Sequence, residues 1–241
     1  PSKPTLCGLH QSPKFHMIAN LTAGRVVGAL MLTQIVGGVA SNFLLTAPLF
    51  EPPGFLETAA PNSTQIAISV LLAIALAGIT VAIAAITFPV IWKRSQPLAV
   101  LLAAFAAAGM AVGVLEQINV MSMVSLSQAY VKVSIAEREN FQLLRGIVAA
   151  SRNWSHYVNL VLAGCTLLVM YSTLLRYSLI PRLLAAIGVS AAALQIFAVA
   201  TPLFGGGVNF ALLAPLGLTQ LVVAIWLLKN GFHNSPQSVD A

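Results

Sequence analysis

The sequence predicts an all-α, polytopic membrane protein: six transmembrane helices in a single bundle, with both termini on the cytoplasmic side. Three observations carry that expectation. Of 241 residues, 58% are hydrophobic and only 7% are charged, whereas a soluble domain averages about 25% charged residues. The apolar residues fall into long charge-free blocks, and about 20 such residues span a bilayer core. The Lys and Arg residues behind the net charge of +6 sit between those blocks, scattered. That placement fits membrane topology and argues against nucleic acid as a partner.

The spans follow in order. Val26 to Phe50 is the first apolar block, for a helix at roughly 21–47. Thr58 to Trp92 is the second, with its apolar part starting near Ile66 and a helix at about 65–92. Gln96 to Val131 gives a third helix at about 97–127, and Asn153 to Leu175 a fourth at about 153–176. Leu183 to Leu228 is too long for one crossing. Pro202 and Gly205-Gly206-Gly207 divide it into helices at about 181–202 and 208–230. Residues 1–20 are then a cytoplasmic N-terminal tail, 21–230 the membrane domain and 231–241 a cytoplasmic C-terminal tail.

Orientation rests on the basic residues. With both termini inside, Lys3, Lys14, Arg25, Lys93, Arg94, Arg176, Arg182 and Lys229 face the cytoplasm. Lys132, Arg138, Arg145 and Arg152 face out, so eight of the 12 basic residues lie inside, as the positive-inside rule requires. The opening PSKPTLCGLHQSPKFH has no apolar core, so no cleaved signal peptide is expected there.

The inner connections are tight turns, and Pro97 and Pro181 suit the first turn of the helices they open. The first outer connection is too rich in proline to be helical throughout. Pro215 is expected to kink the sixth span. Between Lys132 and Ser151, Phe141, Leu144 and Val148 recur at helical spacing among charges. This is either a short amphipathic helix on the outer surface or an extension of the third helix.

Glu116 raises the functional question. It is the only charged residue from Ser95 to Val131. A charge at the bilayer centre costs at least about 2.5–3.5 kcal/mol, so the carboxylate needs a partner or a proton. It shares a helical face with Gly113 and Gly109, and Gly109-Met-Ala-Val-Gly113 is a G-x-x-x-G element that lets another helix approach. Counted from Pro97 at 1.5 Å per residue, Glu116 lies nearly 30 Å along its helix, in the outer part of the membrane. Other polar residues gather there. Asn42 ends the first helix, Asn119 lies one turn beyond Glu116, His156 and Asn159 open the fourth helix, and Asn209 opens the sixth. Gln195, Gln220 and Gln34 lie deeper.

The distribution points to a site reached from the outer side. Glu116 and His156 match in depth and can pair. A carboxylate–imidazole pair serves as general acid/base or proton relay; the competing reading is a buried carboxylate that simply locks helices together. Asn42, Asn119, Asn159, Gln195, Asn209 and Gln220 are candidate ligand-binding residues.

Cys7, His10, His16 and Met17 offer soft donors but match no closed zinc site, so no metal is expected. Cys7 and Cys165 do not read as a disulfide framework. No phosphate loop, nucleophile elbow or paired catalytic carboxylates occur, and no cofactor is expected.

Arg25-Val-Val-Gly-Ala-Leu, Leu115-Glu116, His156 and Tyr177-Ser-Leu-Ile-Pro-Arg182 together resemble a bacterial family of six-helix membrane proteins catalogued as domain of unknown function 4386. The resemblance covers roughly residues 22–230 and is most distinctive at the Ser-x-Ile-Pro-Arg turn. It implies the six-helix fold and a bacterial inner membrane, and it supports choosing Glu116 and His156; it implies no reaction. The family often carries an Arg a few residues before this Glu. Phe105-Ala-Ala-Ala-Gly-Met has none, so an Arg–Glu pair is expected to be missing.

The leading expectation is therefore binding, in the outer half, of a lipid-like ligand or of a partner subunit, either another protein or a second copy. One alternative is an intramembrane enzyme using Glu116 and His156 as acid/base, with Asn119 and Asn159 orienting substrate. Another is a proton-linked transporter with Glu116 as the proton carrier, against which the missing inverted repeat counts.

Overall fold

The structure, a computed structural model, describes residues 13–134 and 137–233. Among these residues there is no strand, and six helices are long and apolar enough to cross a membrane. Helix α1 spans Pro13–Val39 and runs on into a π-helical turn, Ala40–Leu45. A short helix, α2 (Phe55–Thr58), lies in the first long connection. The remaining spans are α3 (Ser63–Trp92), α4 (Gln96–Tyr130), α5 (Arg138–Arg176), α6 (Arg182–Ala200) and α7 (Ala214–Asn230).

The six spans form a ring in chain order. Each packs on the span before and after it, and α7 returns to pack on α1. Short connections favour such neighbours. The two tight turns and the C-terminal end of α7 share one face, here the hairpin face. There the Tyr177 hydroxyl donates to Arg94 O at 3.2 Å, and His233 N donates to Leu179 O at 2.8 Å. The long connections occupy the opposite loop face.

Ring closure rests on Gly24-Arg-Val-Val-Gly28, a G-x-x-x-G element not singled out above. A Cβ on Gly28 would sit 2.7 Å from Ala224 O and 2.8 Å from Leu228 N, and one on Gly24 would strike Phe232 N. Only glycine lets α1 meet the backbone of α7 this closely. The expected approach at Gly109 and Gly113 is looser. Added Cβ atoms there would lie 3.9 Å from Leu162 Cβ and 3.5 Å from Asn159 Nδ2, which is ordinary contact.

Two expectations need correction. Residues 138–151 form neither a separate surface helix nor an extension of the third span; they are the first turns of α5, which is 39 residues long. The polar run Arg152-Asn-Trp-Ser-His156 resembles a membrane boundary, but none of these residues breaks a helix, and Arg152, Ser155 and His156 turn their polar groups toward α4. The chain reverses earlier, where the Glu137 carboxylate accepts from Ser134 N and Oγ. Pro215 kinks no span. It lies in the first turn of α7, after a 3-10 turn at Phe210–Leu212, where its missing N–H is no loss.

Two apolar cores flank the middle of the ring. The core toward the hairpin face includes Val27, Ile91, Leu102, Tyr171, Ile180 and Leu227. The core at the loop face includes Leu49, Phe55, Leu56, Ile66, Val124 and Tyr130, so the first long connection forms a plug packed on α3 and α4 there. Ser127 of α4 fastens the plug, donating to Leu56 O and accepting from Ala60 N, both at 2.8 Å. On α5, Trp154 and Tyr157 pack edge to face. Tyr157 and Tyr177 lie about 30 Å apart along the helix, which matches a hydrocarbon core of about 30 Å. Aromatic side chains favour the two membrane–water boundaries.

Candidate functional site

Glu116 projects from α4 into the ring and is 5% exposed. Three side chains of α5 meet it. Arg152 Nη2 donates to Oε1 at 3.3 Å, His156 Nδ1 lies 2.8 Å from the same oxygen, and Asn159 Nδ2 donates to Oε2 at 3.1 Å. Positions 152, 156 and 159 recur at i, i+4 and i+7, which places them on one helical face. A single carboxylate therefore fixes the rotation of α5 about its axis. An ionised carboxylate only accepts, so in this contact Nδ1 of His156 carries the hydrogen.

Asn119, one turn beyond Glu116, supports the same face of α5. Its amide donates to Ser155 Oγ at 3.1 Å and to Ser151 O at 3.4 Å, and its carbonyl accepts from Ser151 Oγ at 3.2 Å.

Arg152 is 8% exposed, and its guanidinium stands over the Phe50 ring at 5.0 Å. The Phe50 contact is a cation–π interaction. Beyond Glu116 the guanidinium donates only weakly, to Asn153 Oδ1 at 3.5 Å. Its buried Nε has no partner. An unmade buried donor costs about 1–3 kcal/mol, and more when it is charged.

This cluster lines a chamber of about 290 Å³ that also reaches Gln34, Ser41, Asn42 and Thr46. Asn42 is exposed and its amide donates to Gly38 O within its own helix. Ser41, in the π turn, is hydrogen-bonded to Ser69 Oγ at 3.0 Å. A second chamber of about 240 Å³ lies toward the hairpin face, lined by Met31, Ile83, Leu102, Met170 and Gln220. Gln34, Thr80, Ala163 and Thr166 border both chambers. At that junction Gln34 donates to Thr80 Oγ1 at 2.6 Å and to Leu76 O at 3.1 Å.

The remaining sequence candidates disperse. Gln195 clips α6 to α5 by donating to Leu160 O at 3.1 Å. Asn209 accepts from Ala211 N at 3.1 Å and caps the turn before α7. Gln220 belongs to the apolar chamber. Cys7, His10 and the side chains of His16 and Met17 lie outside the described residues. Among the described residues, no three His, Cys, Asp or Glu side chains converge on a point that could hold a metal ion.

Arg152 escaped the sequence reading because it was assigned to an outer loop. The expectation that an Arg–Glu pair would be missing is corrected: α5 supplies the guanidinium to Glu116. The signal was the i, i+4, i+7 spacing itself, visible once the helix is carried back through Arg152.

No curated protein and no solved structure matches the chain. The family model described as domain of unknown function (DUF4386) matches residues 26–231, most of the chain and all but the first turns of α1 among its spans, and the chain belongs to that family.

Proposed function

We propose that this protein, in a bacterial cytoplasmic membrane, binds an amphipathic, lipid-like molecule within the ring of helices. The polar end sits by Arg152 and His156, near the boundary marked by Trp154 and Tyr157. The apolar chain runs into the second chamber among Met31, Ile83, Leu102 and Met170. The observation that carries this reading is that a polar pocket and an apolar one lie next to each other inside the ring and share Gln34, Thr80, Ala163 and Thr166 as lining. An apolar cleft with a few convergent polar groups is the usual form of a small-molecule site.

The test is mass spectrometry of what co-purifies. Wild-type protein is expected to retain a single-chain amphiphile. The Ala163→Phe variant, blocked at the junction, is expected to retain at least tenfold less while unfolding at a similar temperature. Equal retention by both would remove the reading.

The 2.8 Å contact between His156 and Glu116 favours a second reading, an intramembrane enzyme with this pair as acid/base. On that reading Glu116→Gln abolishes turnover of a bound lipid without releasing it. A transporter with Glu116 as proton carrier is less well supported. Both carboxylate oxygens are already bonded by Arg152, His156 and Asn159.

A further inference from the structure

Charge is divided unevenly between the two faces. Among the described residues every carboxylate side chain, Glu51, Glu57, Glu116, Glu137 and Glu139, lies toward the loop face. The hairpin face carries Arg25, Arg94, Arg176, Arg182 and Lys229 and, among the described residues, no carboxylate. These cations share one level. Arg94 O accepts from Tyr177, the Arg176 guanidinium stands 5.7 Å from the Tyr177 ring, and Arg182 Nε donates to Ser178 Oγ at 3.0 Å. Arg25 Nη2 donates to Lys229 O at 3.4 Å, and His233 N ties that end of α7 to Leu179 O.

Helix dipoles do not account for the whole pattern. Arg176 and Lys229 lie in the last turns of α5 and α7, where a cation is favoured. Arg182 opens α6, where the dipole opposes one. The positive-inside rule explains which face carries such charges, not what balances them in the folded protein.

The surroundings say what can. Exposed apolar side chains adjoin the cations: Val26 follows Arg25, Leu183 follows Arg182, and Ile225 lies one turn before Lys229. Tyr177 marks the membrane boundary at this level, and Trp92, also exposed, stands beside the turn that carries Arg94. An acidic protein in water would meet the charges and leave these apolar groups uncovered. A phospholipid meets both.

We propose that the hairpin face binds anionic phospholipid, with headgroups at the arginines of the two joined turns and at Arg25 and Lys229, and acyl chains against Val26, Leu183 and Ile225. Basic residues at a membrane surface attract anionic headgroups in this way. The surface lies outside both chambers, so the proposal is independent of the ligand within the ring.

In the experiment the full chain is reconstituted in vesicles of equimolar phosphatidylglycerol and phosphatidylethanolamine and extracted in mild detergent. Mass spectrometry then quantifies the phospholipid it retains. Phosphatidylglycerol is expected at least threefold in excess. Arg176→Gln with Arg182→Gln is expected to cut that excess by half or more. Lys132→Gln with Arg145→Gln, which removes the same charge from the loop face, is expected to leave it unchanged. Should the first variant fail to fold, Arg25→Gln with Lys229→Gln tests the same face with the same expectation. Equal retention of the two lipids by unaltered protein overturns the proposal, as does an unchanged excess in the hairpin-face variant. A loop-face variant that lowers the excess as much overturns it too, because net charge and not this surface would then hold the lipid.

Discussion

Glu116, Arg152, His156 and Asn159 line the chamber toward the loop face, here called the outer chamber, while Met31, Ile83, Leu102 and Met170 dominate the one toward the hairpin face, here the inner chamber. The same ring of helices encloses both. The outer chamber is organised by a few directed bonds to one carboxylate, and its neighbouring core is capped by a loop. The inner chamber is organised by close packing, including the backbone contact of Gly28 with α7. The two halves should therefore fail in different ways: one when a charge loses its partner, the other when a methyl group is added.

The largest expected effect is in the outer half. Glu116→Gln removes the counter-charge of buried Arg152, and breaking such a pair typically costs about 3–5 kcal/mol. Denaturant unfolding in detergent measures it, and a change near zero would show that the pair contributes nothing to stability. Next comes Gly28→Ala, an overpacking change expected to cost about 1–3 kcal/mol. Gly113→Ala, beside the outer chamber, is the control. Its Cβ has room next to Asn159, so the cost is expected below about 1 kcal/mol. If the order of the two glycines reverses, the tight closure lies between α4 and α5 instead. The smallest effect is expected from Gln220→Leu in the inner chamber. An apolar side chain suits an apolar wall, so unfolding should shift by less than about 1 kcal/mol. A loss as large as that of Glu116→Gln would erase the distinction between the halves.

The membrane fold was legible because its signal is physical and simple: charge-free blocks long enough to span, separated by glycine, proline and basic residues. Glu116 and His156 stood out for the same reason, as polar groups in apolar surroundings. Arg152 did not, because a basic residue beside a span looks like a topology signal until the helix through it is known. Gly24 and Gly28 share the G-x-x-x-G spacing of Gly109 and Gly113, and spacing alone does not say which pair meets a neighbouring backbone. Gln195 and Asn209 lie away from both chambers and Gln220 lines the inner one, because depth along a helix says nothing about which face a side chain occupies. Gln195 and Asn209 satisfy backbone groups elsewhere. The π turn that brings Ser41 to the chamber has no sequence pattern that marks it.

Helix α5 is 39 residues long, about 58 Å at 1.5 Å per residue, nearly twice what a bilayer requires. Its projecting turns expose Leu143 and Ile147 to whatever lies beyond the membrane. The same unbroken rod carries all three groups that grip Glu116. A torque on the projecting end would reach the carboxylate as a rigid lever does, with no flexible joint between, and would turn guanidinium, imidazole and amide together.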